Sequence, residues 1–314
     1  MPERFHSLDR KSNLFTRRLL KNLRRFLPFV GKMKVGLALG SGAARGLAHI
    51  GVIKCLREEG IPIDCVSGSS AGALVGAFLA AGKFDVLDAF AASLTGWESL
   101  KLVDPMLIPK GGIVEGKRVE KFFRDRLGDV MIENLPIPFA CVSTDYLTGK
   151  EVVLNRGDLV TAVRASISIP GIFKPVPYGS MLLIDGGVVN PVPVSVARDL
   201  GADIVIAVDV SAKIKKDKKT SGGFSGGGMK TSEGKGDPAE KIPGIFEIFM
   251  GAITIMGTEI NAMRMHRENP EIVISPMVNH LGLLDFHKYS LGVIEGERAA
   301  REELFHIKRL LGMK

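Results

Sequence analysis

The chain is poor in cysteine: Cys55, Cys65 and Cys141 are the only three in 314 residues, and no two form a C-x-x-C pair. That excludes a disulfide framework and a cysteine-built metal site. It leaves reduced, buried thiols of the kind expected in a cytosolic protein. There is no H-E-x-x-H stretch and no D-x-D-x-D-G loop, so no metal is expected. No uncharged apolar run reaches the ~18 residues that span a bilayer. The best candidate, IFMGAITIMGT at 248–258, is too short and follows Glu247. A secretory signal is not expected either, because no apolar h-region or small-residue cleavage site follows the N-terminal arginines. Histidine is scarce: His6, His49, His266, His280, His287 and His306 are the full set from which an imidazole base could come.

The net charge of +8 is concentrated in two places. Residues 1–34 carry ten Lys or Arg against two acids, and residues 213–241 carry eight Lys against four acids, so the rest of the chain is net negative. Within the first stretch, Phe15, Leu19, Leu20, Leu23, Phe26 and Leu27 recur at helical spacing with basic residues between them, and Pro28 ends the pattern. A basic amphipathic helix over 15–27 suits an anionic membrane surface, and it suits equally a helix that docks its leucines on its own domain. Nucleic-acid binding is not expected, because the arm has few interleaved aromatics and the remaining chain is acidic. The second stretch is rich in Gly, Lys and Ser and reads as a flexible insertion. Residues 1–32 therefore read as an extension and 33–314 as one domain interrupted at 213–241.

From Lys34 onward strands alternate with helices. KVGLALG, IDCVSG, FACVSTD, EVVLN, SMLLIDGG, ADIVIAVDV and EIVISP read as strands. Helices are expected over 47–60, 71–81, 85–94, 116–127, 158–168, 193–201, 244–266 and 290–311. The alternation predicts an α/β fold with three layers, helices covering both faces of a mainly parallel central sheet.

Three stretches carry chemistry. In VSGSSAGALVG, Gly68-x-Ser70-x-Gly72 follows a short strand and opens a helix of small residues, the context of a nucleophile elbow. An ordinary turn with a serine helix cap fits this stretch equally well. The chain supplies its own control: Gly223 to Gly227 matches the same spacing around Ser225, but with no strand before it and no helix after it.

In LALGSGAARGLAHIGV, a strand runs into Gly40, Ser41, Gly42, Ala43, Ala44, Arg45 and Gly46 and then a helix. Such a loop aims backbone N–H groups at an anion, either a dinucleotide phosphate or an oxyanion formed in acyl transfer. The dinucleotide pattern needs glycine where Arg45 stands and an acid at the far end of the second strand, where Gly68 and Ser70 stand instead. In LLIDGGVVNPVPV, Asp185 ends an apolar strand before Gly186 and Gly187. Such an acid serves either its own turn or a site at the sheet's carboxyl edge.

Taken together and in this order, GSGAARG, GSSAG and DGG resemble the patatin-like phospholipase family, as do ASISIPGIF before the aspartate and NPVPV after it. The resemblance covers residues 34–210 most firmly, with Ser41 and Ala43 standing where many members carry glycine. It implies a serine esterase that cleaves phospholipid or lysophospholipid acyl esters without a cofactor. Ser70 would be the nucleophile and Asp185 its base, with the amides of residues 40–46 as the oxyanion hole. Arg45 would order that loop or lie near an anionic head group. A cytoplasmic enzyme meeting membranes peripherally is the corresponding expectation. Two rivals remain: an α/β-hydrolase with His280 or His287 as base, and a non-catalytic scaffold on the same fold.

Overall fold

A computed structural model describes residues 33–94, 115–211 and 244–313. Strand β1 (Val35–Leu39) leads through the turn at Ala43–Gly46 into α1 (Leu47–Glu58). Next come β2 (Cys65–Ser69), α2 (Ala71–Ala80), α3 (Phe84–Ser93) and α4 (Lys117–Leu127). The hairpin β3 (Phe139–Asp145) and β4 (Glu151–Leu154) precedes α5 (Leu159–Ser166), β5 (Val176–Tyr178) and β6 (Met181–Asp185). The chain continues through α6 (Val194–Asp199), β7 (Ile204–Val208), α7 (Ile245–Glu268), β8 (Ile272–Ile274) and α8 (Tyr289–Leu311). The segments expected at 15–27 and 213–241 lie outside the described residues, so the two expectations attached to them meet no structural counterpart.

Hydrophobic patterning accounts for the layers. β1, β2, β3 and β7 are buried along their whole lengths, as strands covered on both faces must be. Side chains alternate across the sheet by bulk. Leu37, Leu39, Val66, Ile206 and Val208 join the core under α1, α2, α5 and α8. Ala38, Cys65, Val205 and Ala207 form a thinner layer with Val194 and Ala197 of α6. Asp158 starts α5 by accepting from the Thr161 amide at 2.8 Å. The three cysteines are free and buried, as composition suggested.

β3, β2, β1, β7 and β8 pair side by side in parallel, whereas β3–β4, β3–β6 and β6–β5 are antiparallel. β5 escapes the sequence pattern because Pro175 and Pro177 interrupt it, and prolines are tolerated only on an edge strand. β6 brings the finding that matters most for function. β4 holds one edge of β3 across 141–144. On the other edge β2 pairs with 139–142 and β6 takes over at 143–145. Ser69 thus faces Val142, and Asp185 faces the next residue, Ser143. β2 and β6 meet end to end along one edge of β3. Asp185 does reach the carboxyl edge of the parallel sheet, as expected, but it arrives on a strand running the opposite way.

Candidate active site

The junction of β2 and α2 is as tight as the small residues of its sequence imply. A Cβ on Gly68 would fall 2.5 Å from the Ala73 Cα, and one on Gly72 would fall 2.1 Å from the carbonyl oxygen of Leu39. Only bare backbone lets the helix start this close to β1. Ser70, between them, has φ 53° and ψ −119°, a combination that costs a non-glycine residue about 1–3 kcal/mol. Surrounding contacts hold it there. The Ser70 amide donates to Ser166 Oγ at 3.0 Å, and that hydroxyl donates to the Val142 carbonyl at 2.6 Å. Ser70 makes no side-chain cap to its own helix. Its hydroxyl instead donates to Asp185 Oδ2 at 2.6 Å.

Asp185 is fixed on all sides. Its Oδ1 accepts from the Gly187 amide at 2.7 Å, and Thr144 Oγ1 donates to its main-chain carbonyl at 2.9 Å. Gly186 is bare for a steric reason: a Cβ there would lie 2.1 Å from the Val142 carbonyl oxygen. Burial pushes the Asp185 carboxyl up to about 6, with the bonds from Ser70 and Gly187 opposing that rise. The carboxylate is therefore the main form at neutral pH and a stronger base than an exposed aspartate.

The glycine loop flanks this pair, and the structure narrows the set of amides that face it. The amides of Gly40 and Ser41 donate to Val208 O and Pro191 O, at 3.0 and 2.8 Å. Those of Ala44 and Arg45 donate to Leu283 O and Gly42 O, at 3.1 and 3.0 Å. These four are taken by the protein: they tie the loop to β7, to Pro191 after β6 and to the segment after β8, and close the loop's own turn at Gly42. Gly46 acts through its size, since a Cβ there would lie 2.5 Å from the Ala71 Cβ. Among the described residues the amides of Gly42 and Ala43 have no protein acceptor, and both residues line the cavity that holds Ser70 and Asp185. Gly42 and Ala43 thus leave two amides beside the pair that could receive an anion. The N-terminal end of α2 adds its partial positive charge beside them.

Ala43 sits at φ 49°, in the left-handed region where a Cβ is strained. Ala43→Gly is expected to raise stability by about 1 kcal/mol and to keep ester-cleaving activity, because the amide stays in place. Thermal unfolding together with steady-state kinetics checks this, and a loss of stability would count against the strain.

Arg45 is buried, and its Nε donates to the Leu281 carbonyl at 2.9 Å, so it orders the loop. His49 is fully buried beneath the same loop, with Nε2 donating to the Gly40 carbonyl at 2.8 Å. Burial lowers its pKa to about 4, so the ring is neutral and serves as a strut. His280 and His287 are exposed and line neither cavity around Ser70.

Sequence reasoning did not single out Ser166 or Thr144. The available signal for Ser166 was a hydroxyl on the apolar face of α5, seven residues after Leu159 and three after Val163. Nothing in the sequence pointed to Leu283 and Leu284, or to Ile253 and Thr254 of α7, as walls of the site. Among the described residues no group of three His, Cys, Asp or Glu side chains could hold a metal, and no helix is long and apolar enough to cross a membrane.

Comparison with known sequences identifies the family. The sequence model of the patatin-like phospholipase family matches residues 37–198. An NTE family protein of Mycobacterium tuberculosis (strain ATCC 25618 / H37Rv) is 47% identical over 178 residues, which is 57% of this chain and 49% of that one. Another from M. tuberculosis (strain CDC 1551 / Oshkosh) is 34% identical over 280 residues, 86% of this chain and 46% of that one. Neuropathy target esterase sws of Drosophila melanogaster is 38% identical over 186 residues, 57% of this chain and 13% of that one. The chain spans about half the length of the first two relatives.

Proposed function

The chain belongs to the patatin-like phospholipase family, and we propose that it is a serine esterase acting on lipid acyl esters through Ser70 and Asp185. One observation carries the reading. The hydroxyl of a strained, buried serine donates to a buried carboxylate at 2.6 Å, and no histidine among the described residues lines the cavity they share. That pairing supplies a nucleophile with its base already in contact. The family and the esterase relative support the reaction class.

In the acylation step Ser70 Oγ bonds to the ester carbonyl carbon while its proton passes to Asp185 Oδ2. The carbonyl oxygen gains the negative charge, and the amides of Gly42 and Ala43 donate to it. Collapse of this intermediate breaks the bond to the alcohol, which leaves with the proton from Asp185. The acyl group remains on Ser70. Water then gives a proton to Asp185 and attacks the acyl carbonyl. Breaking the Ser70 ester releases the carboxylic acid, and the proton returns to Ser70. A carboxylate is a weaker base than imidazole, and the lift of Asp185 to about 6 narrows that difference. Lysophospholipids and phospholipids are the substrates this reading favours, and the basic segment at 15–27 would bring the enzyme to anionic bilayers.

The test is hydrolysis of p-nitrophenyl butyrate and of a lysophospholipid by wild type and by His280→Ala/His287→Ala. Full activity in the double variant is expected. A hundredfold loss in it would move the chemistry to an imidazole base, and a wild type inactive on both substrates would favour the scaffold reading.

A further inference from the structure

Ser70 stands in the wall of two cavities of opposite character. One, of about 800 Å3 including space open to solvent, contains Asp185 and presents Ser41, Arg45, Ser211, Thr254 and Thr258. The other, of about 1120 Å3 on the same measure, offers among the described residues no hydrogen-bonding side chain except Ser70 itself. Ala43, Ile169, Ile172 and Leu284 belong to both and mark where they join.

The second cavity is built by helical stripes. Leu87, Phe90 and Ala91 on α3, with Leu94 just past its end, recur at intervals of three and four, and Val119, Phe122 and Phe123 do the same on α4. Leu74 and Val75 of α2 and Leu47 and Ile50 of α1 complete the walls. A head group or a glycerol hydroxyl entering here would lose its water and find no partner among the described side chains, whereas a hydrocarbon chain would gain on every carbon.

The walls that belong to this cavity alone include a braced aromatic pair. The rings of Phe90 and Phe122 lie with centroids 4.2 Å apart, and Phe123 meets Phe122 edge-on at 5.7 Å. The Arg126 guanidinium covers Phe122 at 3.6 Å and Phe90 at 4.9 Å. Arg126 does not line the cavity, so it backs the aromatic pair from outside. A cation over two rings holds them as a firm stop rather than a yielding wall.

We propose that this cavity is the channel for a single acyl chain and that the Phe90–Phe122 pair, backed by Arg126, sets the longest chain it accepts, with the leaving alcohol on the Asp185 side. The inference deepens the esterase reading and rests on it for the orientation of the substrate. Each carbon added within the channel should raise kcat/KM about three- to fourfold. Beyond the stop the gain should end.

Two assays separate this inference from the esterase reading. The first measures kcat/KM for p-nitrophenyl esters from butyrate to stearate. The second uses Ser70→Ala, which needs no catalysis, and measures displacement of a fluorescent fatty acid by saturated acids of the same lengths. Both should break at one chain length. Phe122→Ala should move the break at least two carbons longer, and Ala91→Phe, which fills the channel, should move it shorter. Val75→Phe is the alternative filler if Ala91→Phe does not fold, as judged by circular dichroism. A break that neither variant moves, or no break at all, overturns the proposal. Displacement with the expected break but without wild-type hydrolysis would uphold the channel and reject the esterase.

Discussion

Ser70→Ala is expected to lower kcat on any ester substrate by about 10⁴- to 10⁶-fold, the range found when an activated serine nucleophile is removed. The hydroxyl's hydrogen bond goes to Asp185, while Gly68 lets the helix fold back on its own strand and Gly72 brings it close to β1. Nothing else in the described cavity stands in the same relation to a base. Alanine keeps the φ of 53°, so the backbone strain remains and the fold is held as before. Ser70→Gly separates the two roles. It should be equally inactive and yet more stable than wild type by about 1–2 kcal/mol, because glycine occupies this backbone region freely. The comparison belongs at pH 5, where Asp185 is mostly protonated and removing the hydroxyl strands no charge. Steady-state kinetics and calorimetric melting would measure the pair of effects. Activity and stability moving in opposite directions would mark a site whose strain is kept for function. A glycine variant that is both inactive and less stable would count against it.

Asp185→Asn is expected to lower kcat by about 10³- to 10⁴-fold, comparable with replacing the carboxylate of a serine hydrolase by an amide. The remaining wild-type rate should follow ionisation of Asp185. As base it must be a carboxylate, so kcat/KM should climb tenfold per pH unit well below 6 and level off above it. Stability should run the other way. The unfolded chain has Asp near 3.9, and the folded chain holds this one up at about 6 through burial. A group raised on folding contributes stability below its unfolded pKa and loses that contribution as pH rises through the folded value. Ionised Asp185 therefore burdens the fold above pH 6 by an amount on the order of 3 kcal/mol. An uncharged amide at this position escapes the burden, so Asp185→Asn should melt higher than wild type at pH 8, with most of the difference gone at pH 4. A pH–rate profile and melting curves at both pH values check the two directions. A rate flat from pH 5 to pH 8 would show that Asp185 is not the base.

Much of the fold was legible because the sheet's centre is simple. β1, β3 and β7 are short, mostly apolar runs bounded by glycine or polar turns, and helices such as α1 and α4 carry a period of three and four. The limits came where pattern and neighbourhood part. Pro175 and Pro177 hid β5. An apolar run such as MLLID carries no mark of direction, so nothing revealed that β6 turns back to meet β2 end to end.

The site divided along the same line. Ser70 and Asp185 stood out as candidates because glycines flank them, and the family resemblance chose nucleophile and base over helix cap and turn. Loop amides leave no trace in sequence. Which of residues 40–46 point outward depends on carbonyls at Pro191, Val208 and Leu283, all distant in sequence. The positive φ of Ala43 and the strut formed by His49 likewise emerged only with the backbone in place. Ser166 is the one supporting residue whose misplaced polarity could have been noticed beforehand.

The central claim is that Ser70 becomes covalently acylated with Asp185 as its base. Its most direct test is peptide mass mapping after reaction with a fluorophosphonate, with the labelling rate followed from pH 4.5 to pH 8. The expected result is one adduct, on Ser70, forming at a rate that falls away below pH 6 and becomes negligible in Asp185→Asn. An adduct on another residue, or an esterase-active protein that leaves Ser70 unlabelled, would contradict it.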